Sequence, residues 1–512
     1  MRVRTEDRAR ERRLLPHSHA PDIVSAARLN ADALDAVLAI VPYPASAAAL
    51  RRLPESARWR ELHQRAPLRA GAVRSTVLAN RRHTLAVLGY LASDASAFER
   101  LALAGRMLKE AAARAPEVIG LAAAGPAASA RAALEALLAA ALAHAFALPS
   151  WRTSAREGRG TRRVILLNDV QLDTRHSAAV ADGTNLARWL TSLPPNMLDA
   201  RGYRRAIATL ARTHGLTLRW LDERALRRAG ANAFLAVAAG NAERGAGIAH
   251  LKYRPARSSR AMRAEVALIG KGILFDTGGV NLKTHRSMLD MHTDMAGSAV
   301  ALATLIALAQ LRAPLAADAW LAITENRIGP QAYRPQEVVR AANGVTIQVI
   351  HTDAEGRMVL ADTLALAGRT RPRLMLDFAT LTGACVHALT ERMSGVFSNR
   401  PELAAALVEA GRTSGERLWS FPFEADYDAE LESKVADVVQ CAPDGKGDHI
   451  LATRFLSRFV PEGTPWAHID LSSATRSGGL AHIPSDVTGF GVRLALELLL
   501  KQKVTQKLEP SA

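Results

Sequence analysis

Charged residues whose types could support catalysis cluster in two short segments of this 512-residue chain. The first segment, GKGILFDTGGVNLK, covers residues 270–283 and is followed by an aspartate at 294. Its candidate groups are two lysines and two aspartates: Lys271, Asp276, Lys283 and Asp294. The Gly278-Gly279 pair between them permits backbone turns that a side chain would forbid. A plain surface loop could also carry such charges, so this segment alone does not distinguish a catalytic site from a surface loop.

The second segment, HTDAEGRMVLADTLALA, covers residues 351–367 and follows a short apolar run at 346–350. Charged side chains occupy alternate positions at Asp353, Glu355 and Arg357. In an extended backbone these three would project to the same side. A solvated sheet edge has the same spacing, but the apolar flanks favour a loop held against a core.

Together the two segments supply four carboxylates for one site, namely Asp276, Asp294, Asp353 and Glu355. Clustered carboxylates repel each other in a pocket of low dielectric, and bound divalent cations remove that penalty. Oxygen ligands suit zinc, manganese or magnesium, and two such ions can polarise a carbonyl and activate a water. The pattern therefore predicts metal-assisted hydrolysis, with phosphoester and peptide substrates both open.

The elements that must position these residues alternate between strand and helix from about residue 190. The predicted strands are Ala264–Ile269, Ala317–Thr324, Thr346–Ile350, Leu374–Phe378 and Ala467–Leu471. Helices are predicted after several of them, at Ala296–Leu308, Met358–Ala367 and Leu494–Leu500. This alternation predicts an α/β domain with a largely parallel sheet. In such sheets ligands bind beyond the carboxyl ends of the strands, where the polar clusters fall.

The predicted organisation is a two-domain α/β protein, with a smaller N-terminal α/β domain and a larger catalytic α/β domain whose mixed, largely parallel sheet is flanked by helices. The expected boundaries are a solvated basic tail at 1–20, the N-terminal domain at 21–175, a linker at 176–195 and the catalytic domain at 196–512. In the N-terminal domain, the spacing of apolar residues predicts a helix over 102–121.

Composition excludes several classes of protein. Apolar residues at 49% and charged residues at 22% exclude a disordered chain, and two cysteines exclude a disulfide scaffold or a cysteine zinc module. No apolar run has the length of a membrane span, and the acidic residues near the N-terminus argue against a targeting peptide. We therefore expect no membrane association and a cytoplasmic location.

The net charge of +17 is concentrated in the first third of the chain, because residues 1–180 contribute +11 of it. A nucleic-acid footprint would explain this excess. An arginine-rich background composition explains it as well and is the preferred interpretation, since aromatic residues are too scattered for a base-stacking surface.

The segments KGILFDTGGVNLK and TDAEGR, with Asp294 between them, resemble the signature of the leucyl aminopeptidase family, the two-metal cytosol aminopeptidases. Further segments resemble the family in the same order: LPPNMLDAR, TENRIGPQAYRPQEVV, DFATLTGAC, WAHIDLSS and TGFGVR. The resemblance covers about residues 180–500. It implies release of N-terminal residues from peptides with a free N-terminus, two manganese or zinc ions, and a homohexamer.

The resemblance also implies a role for each site residue. Asp276 and Glu355 would bridge the metals, Lys271 and Asp294 would complete one metal site, and Asp353 the other. Lys283 would polarise the substrate carbonyl, and Arg357 would hold a bicarbonate ion that acts as general base. The implied substrate-binding residues are Met291, Thr380 and Gly383 in the side-chain pocket and Leu381 through its main chain.

The chain departs from the family at positions near the substrate. His351 replaces a usual asparagine, Met358 a common leucine, and Ser472-Ser473 a usual alanine-glycine. His351 and Ser472 are therefore candidate substrate-binding residues that put a leucine preference in doubt, although His351 could instead be structural. Candidates with no matching role are His285, His292, Cys385 and the polar loop residues Lys446, Asp448 and His449.

Overall fold

The computed structural model describes residues 14–16, 20–28, 30–45, 50–51, 57, 59–61, 69–153, 160–167, 171–243, 245–256 and 262–507. Most of the expected tail at 1–20 lies outside these ranges. Within it, however, Leu14 is buried with 2% of its surface exposed. Trp189 donates a hydrogen bond from Nε1 to the Leu14 carbonyl at 3.1 Å. This part of the tail thus packs on the protein and is not solvated as expected.

The N-terminal domain contains a six-stranded sheet with the strand order β1-β6-β5-β2-β4-β3. Its strands are β1 (Asp22–Ala26), β2 (Ala36–Tyr43), β3 (Val73–Val77), β4 (Leu85–Ala92), β5 (Val118–Ala123) and β6 (Arg163–Leu167). All neighbours pair in parallel except β3, which runs antiparallel to β4. Alternate residues of β2 enter two different apolar clusters, so both faces of the sheet are covered.

Two long helices accompany this sheet, α1 (Ala97–Ala112) and α2 (Ala127–Ala145). A capping box between Ser96 and Glu99 fixes the start of α1. The sequence predicts a helix over 102–121, but the observed helix α1 ends at Ala112, and residues 118–121 belong to the strand β5. The reason is local: Ala115 adopts a left-handed φ of 47°, and Pro116 has no N–H to continue a helix.

The catalytic domain is built on an eight-stranded sheet of order β15-β14-β17-β13-β9-β10-β8-β7. Its strands are β7 (Thr217–Asp222), β8 (Gly247–Tyr253), β9 (Val266–Asp276), β10 (Ala317–Asn326), β13 (Leu374–Ala379), β14 (Ser394–Ser398), β15 (Leu418–Ser420) and β17 (Trp466–Asp470). A small sheet joins β11 (Val338–Arg340), β12 (Thr346–Gln348) and β16 (Val438–Val439). The central strands β17, β13, β9 and β10 are mutually parallel, which confirms the predicted mixed, largely parallel sheet.

The remaining described helices accompany this sheet, and some of them pack on its two faces. They are α3 (Thr174–Thr191), α4 (Ala200–Thr213), α5 (Glu223–Ala229), α6 (Asn232–Ala238), α7 (His285–Met288), α8 (Ala296–Leu311), α9 (Glu355–Gly368), α10 (Gly383–Leu389), α11 (Pro401–Ser414), α12 (Asp448–Ser457), α13 (Val492–Leu496) and α14 (Val504–Lys507). Within β9, Val266 and Leu268 enter one apolar cluster, while Ala267 and Ile269 enter the other. The near-continuous apolar sequence of β9 follows from this burial on both faces.

The segment expected as a linker, 176–195, is mostly the helix α3. Arg188 of this helix is 1% exposed and donates from Nη1 to the carbonyl of Ala143 in α2 at 3.2 Å. Its Nε donates to Ser485 Oγ in the catalytic domain at 3.0 Å. Because α3 contacts both domains through a buried cation, it is an integral part of the fold and not a free connection.

One stretch, His285–Leu311, has the length and hydropathy of a membrane-spanning segment. In the structure 83% of its most apolar window is buried inside the protein. The stretch includes α8, whose residues from Ala296 to Leu308 are all buried. This burial indicates a core helix.

Gly297 provides a test of how tightly α8 packs on the sheet. A Cβ at this position would lie 2.0 Å from the carbonyl oxygen of Phe378 in β13. We expect Gly297→Ala to lower the free energy of unfolding by about 1–3 kcal/mol or more, because backbone must move to relieve the overlap. Urea unfolding measures this change. Gly160→Ala is the matched control, since among the described residues its Cβ would meet Ala145 O alone, at 3.7 Å. An equal effect of both substitutions would contradict the packing argument.

Candidate active site

The central strand β9 carries two of the predicted site residues. Lys271 is 3% exposed, and Asp276 at the carboxyl end of the strand is 2% exposed. Asp276 Oδ1 accepts hydrogen bonds from the Gly278 amide and from Asn326 Nδ2, both at 2.8 Å. Gly278 has a φ of +85°, and a Cβ there would lie 2.4 Å from Asn281 O, so the turn requires glycine.

The segment carrying Asp353, Glu355 and Arg357 is not extended, contrary to the sequence prediction. Asp353 lies in a turn, and α9 begins at Glu355, so the alternate spacing spans a turn and the first helical residues. The preceding Thr352 carbonyl accepts hydrogen bonds from Tyr333 OH at 2.7 Å and Asn326 Nδ2 at 3.1 Å. These polar contacts, which no local pattern reveals, replace strand pairing in holding the segment.

The structure nevertheless brings the predicted acidic residues together. Carboxylate oxygens of Asp276, Asp353 and Glu355 all lie within 4.8 Å of one another. Lys283 Nζ lies 2.9 Å from Asp276 Oδ2 and 2.5 Å from Asp353 Oδ1. Lys271 Nζ lies 2.9 Å from Glu355 Oε1 and 2.8 Å from the fourth carboxylate, Asp294.

Burial and mutual repulsion raise the pKa values of these carboxyl groups. Burial raises the pKa of Glu355 to about 7, and the charge of Asp276 adds to the effect. Burial also raises the pKa of Asp294 to about 7 although Lys271 opposes it, and that of Asp353 to about 6 with the help of Asp276. The four carboxylates of the site therefore carry more negative charge than its two lysines can neutralise.

The donor set fits divalent cations. Glu355 is 1% exposed, and its Oε2 has no hydrogen-bond partner among the described residues. A buried carboxylate oxygen without a partner is costly unless a ligand occupies it. Burial would lower the pKa of Lys271, but Asp294, Glu355 and Asp276 outweigh it and raise that pKa. A metal at Lys271 must therefore displace a firmly held proton.

One of the expected substrate-binding residues, Thr380, contacts this cluster, and three others lie close in sequence to Thr380 or Asp294. Thr380 donates from Oγ1 to Asp294 Oδ1 at 2.6 Å, and its carbonyl accepts from Lys271 Nζ at 3.1 Å. Met291 begins a short 3-10 turn that leads to Asp294. The amide of Leu381 donates to Asp470 Oδ1 at 3.0 Å, and the exposed Gly383 begins α10.

The two departures from the family pattern have different surroundings. His351 is exposed, and its Nδ1 accepts a hydrogen bond from the Asp353 amide at 3.3 Å. Burial lowers the pKa of His351, with Lys283 and Arg357 in the same sense and Asp448 against them. Ser472 is 6% exposed and donates to Cys385 Sγ at 3.0 Å. Cys385 is fully buried, and burial raises the pKa of its thiol to about 12.

Arg357 is held by partners that the sequence analysis did not assign. Its Nη1 donates to Gln440 O at 3.2 Å, and its Nη2 donates to Asp448 Oδ1 at 2.7 Å. Gln440 also accepts from the His351 amide at 3.1 Å and donates to Ala354 O at 3.0 Å. The sequence predicts only a polar loop at Asp448, and no sequence pattern indicates a role for Gln440.

Comparisons with known proteins place this site in a family. A model of the catalytic domain of the cytosol aminopeptidase family matches residues 185–496. A probable cytosol aminopeptidase of Syntrophotalea carbinolica is 41% identical over 334 residues, which cover 65% of this chain and 66% of that protein. A second, from Wolbachia pipientis, is 40% identical over 66% of this chain and 68% of that protein. The chain thus matches about two thirds of the length of these relatives.

Solved structures extend the likeness to the N-terminal domain. The bottromycin maturation enzyme BotP in complex with Mn is 31% identical with a TM-score of 0.77, covering 92% of this chain and 99% of that one. A mutant of tomato leucine aminopeptidase is 26% identical with a TM-score of 0.82, covering 95% and 98%. These likenesses confirm the predicted α/β fold class. The chain belongs to the cytosol aminopeptidase family.

Proposed function

We propose that this chain is a metal-dependent aminopeptidase that releases N-terminal amino acids from peptides. The observation that carries the proposal is the cluster of Asp276, Asp353 and Glu355, whose carboxylate oxygens converge within 4.8 Å in a mostly buried pocket. Membership of the cytosol aminopeptidase family supports a peptide substrate over a phosphoester. The basic N-terminal domain then needs no nucleic-acid partner.

The residues present fit two divalent cations, and we propose that both are manganese or both are zinc. Asp276 and Glu355 would bridge them, Lys271 and Asp294 would complete one site, and Asp353 the other. Manganese gains support from the Mn complex of the related BotP structure. When bound, such a pair would polarise the substrate carbonyl and make a water more acidic.

Lys283 is the proposed electrophilic residue of the chain itself. Burial would lower the pKa of its ammonium, but Asp276, Glu355 and Asp353 outweigh that effect and raise the pKa, which favours the charged form. Its side chain is 14% exposed, so it is partly accessible to a substrate that binds at the carboxylate cluster. Donation from Nζ to the carbonyl oxygen would stabilise the negative charge that develops there during water attack.

Substrate binding is proposed for the surface around Thr380 and Met291, with Gly383 leaving space for the first side chain and Leu381 contributing main-chain groups. The free α-amine would bind next to the carboxylate cluster, which restricts cleavage to N-termini. A cytoplasmic location is a further part of the proposal, supported by membership of the cytosol aminopeptidase family. A homohexamer stays a prediction from the family resemblance. Bicarbonate at Arg357 is implied only by the resemblance to the family, and in the structure Asp448 contacts that guanidinium.

Metal binding is the first expected outcome. Glu355→Gln removes the carboxylate whose Oε2 has no partner, so we expect the affinity for Mn²⁺ or Zn²⁺ to fall at least about tenfold. Titration calorimetry of metal-stripped protein measures it. Glu430→Gln, on an exposed acid, is the control. Equal metal affinity in both variants would contradict a metal role for Glu355.

Activity is the second expected outcome. Metal-stripped protein should be inactive toward leucine p-nitroanilide and other aminoacyl substrates, and added manganese or zinc should restore hydrolysis. Asp276→Ala should abolish it by removing a bridging ligand, while Glu430→Ala should not.

Inactivity toward every free-amine substrate, with metal demonstrably bound, would overturn the aminopeptidase proposal. Hydrolysis of p-nitrophenyl phosphate instead would favour the phosphoesterase, and salt-sensitive binding of oligonucleotides would favour the nucleic-acid alternative.

Selectivity is the third expected outcome. His351→Asn and Ser472→Ala should each change the selectivity, which is the ratio of the kcat/KM values for two different N-terminal residues, by about 10–200-fold. The reason is that they alter pocket contacts and not the carboxylate cluster. A panel of aminoacyl p-nitroanilides measures these ratios. Uniform loss across the whole panel would instead assign these residues to the catalytic apparatus.

A further inference from the structure

The guanidinium of Arg357 already has an anion from its own chain. Its Nη2 lies 2.7 Å from Asp448 Oδ1, and the Arg357 side chain is only 3% exposed. The Nε on the same fork of the guanidinium is buried and has no partner among the described residues. Nε and Nη2 form the fork that binds a carboxylate or a bicarbonate through two oxygens. Asp448 therefore contacts one of the two hydrogens that a bicarbonate would use.

The balance of charge at Arg357 also disfavours a bound bicarbonate. Asp448 brings one negative charge, as bicarbonate would, and it neutralises Arg357 without any solute. A second anion at the same fork would add negative charge next to Asp448 and near Glu355, whose charge also acts on Arg357. Such an accumulation is unfavourable in a site of low dielectric.

Asp448 is also partly accessible and lies near other candidate site residues. It is the first residue of α12, follows Gly447 in a left-handed conformation, and keeps 26% of its side chain exposed. Its charge acts on His351 as well as on Arg357, and Lys283 acts on the same histidine. Asp448 thus shares an electrostatic neighbourhood with the proposed substrate-binding and electrophilic groups.

We propose that the Asp448 carboxylate takes the place of bicarbonate at Arg357, so that hydrolysis by this chain does not depend on bicarbonate. The inference rests on the proposed aminopeptidase function. The attacking water would give one proton to the Asp448 carboxylate as its oxygen bonds to the substrate carbonyl carbon. The same proton would then pass to the leaving amine nitrogen as the C–N bond breaks, which returns Asp448 to its ionised form.

The test compares wild type with Asp448→Gly and Asp448→Asn in the full-length, metal-loaded protein. Activity toward leucine p-nitroanilide is measured in carbon-dioxide-free buffer, with and without added bicarbonate. We expect the wild-type rate to be unchanged by bicarbonate. Asp448→Gly should lose about 100-fold or more in kcat, as for loss of a general base, and bicarbonate should restore much of it.

Two features keep the test independent of folding and of activity. Asp448→Asn keeps the size of the side chain without its charge. Asp444→Gly in the same loop removes an exposed aspartate that forms an ion pair with the exposed Lys446. Binding of ¹³C-bicarbonate to zinc-loaded protein, followed by NMR line broadening, needs no turnover. We expect binding to Asp448→Gly and none to wild type or Asp444→Gly.

Three outcomes would overturn the inference: bicarbonate binding to wild type with stimulation of its rate, full activity of Asp448→Gly without bicarbonate, or loss of activity that bicarbonate does not restore. If wild type is inactive toward every aminoacyl substrate, the proposed function fails. The bicarbonate-binding measurement still shows in that case whether Asp448 fills the site at Arg357.

Discussion

Repulsion among buried carboxylates is the constraint on which the rest of the site depends. Asp276, Asp294 and Glu355 are each 5% exposed or less, and Asp353 lies beside them. Within the chain, Lys271 and Lys283 offset only part of this charge, and the raised carboxyl pKa values show the remainder. Such a cluster must bind either protons or a cationic ligand, and divalent cations are the ligand that oxygen donors suit.

The fold meets this constraint by fixing the cluster from several directions. The central strand β9 delivers Lys271 and Asp276 from a position buried on both faces. Asp294 is held by a hydrogen bond from Thr380 and by the ion pair with Lys271. Asn326 and Tyr333 fix the turn before α9, so Glu355 enters the site at a helix start, where the helix dipole favours a negative charge. Polar contacts thus give the site its rigidity as much as apolar packing does.

Local patterns were sufficient to predict the strands that end at the site and the acidic residues that follow them. They failed at 353–357, because alternation of charged residues suits a strand and a turn into a helix equally well. They also missed Gln440 and Asp448, which lie 83 and 91 residues beyond Arg357 and meet it only through the tertiary fold. The helix at 174–191 was mistaken for a linker because a buried arginine, Arg188, looks like a surface residue in sequence.

The central claim is that the carboxylate cluster holds two divalent cations. Anomalous diffraction at the manganese edge, from crystals of the full chain grown with Mn²⁺, tests it most directly. The account predicts two peaks about 3.5–4 Å apart, both within coordination distance of Asp276 and Glu355. A single peak, or peaks that avoid these two carboxylates while the protein is active, would contradict it.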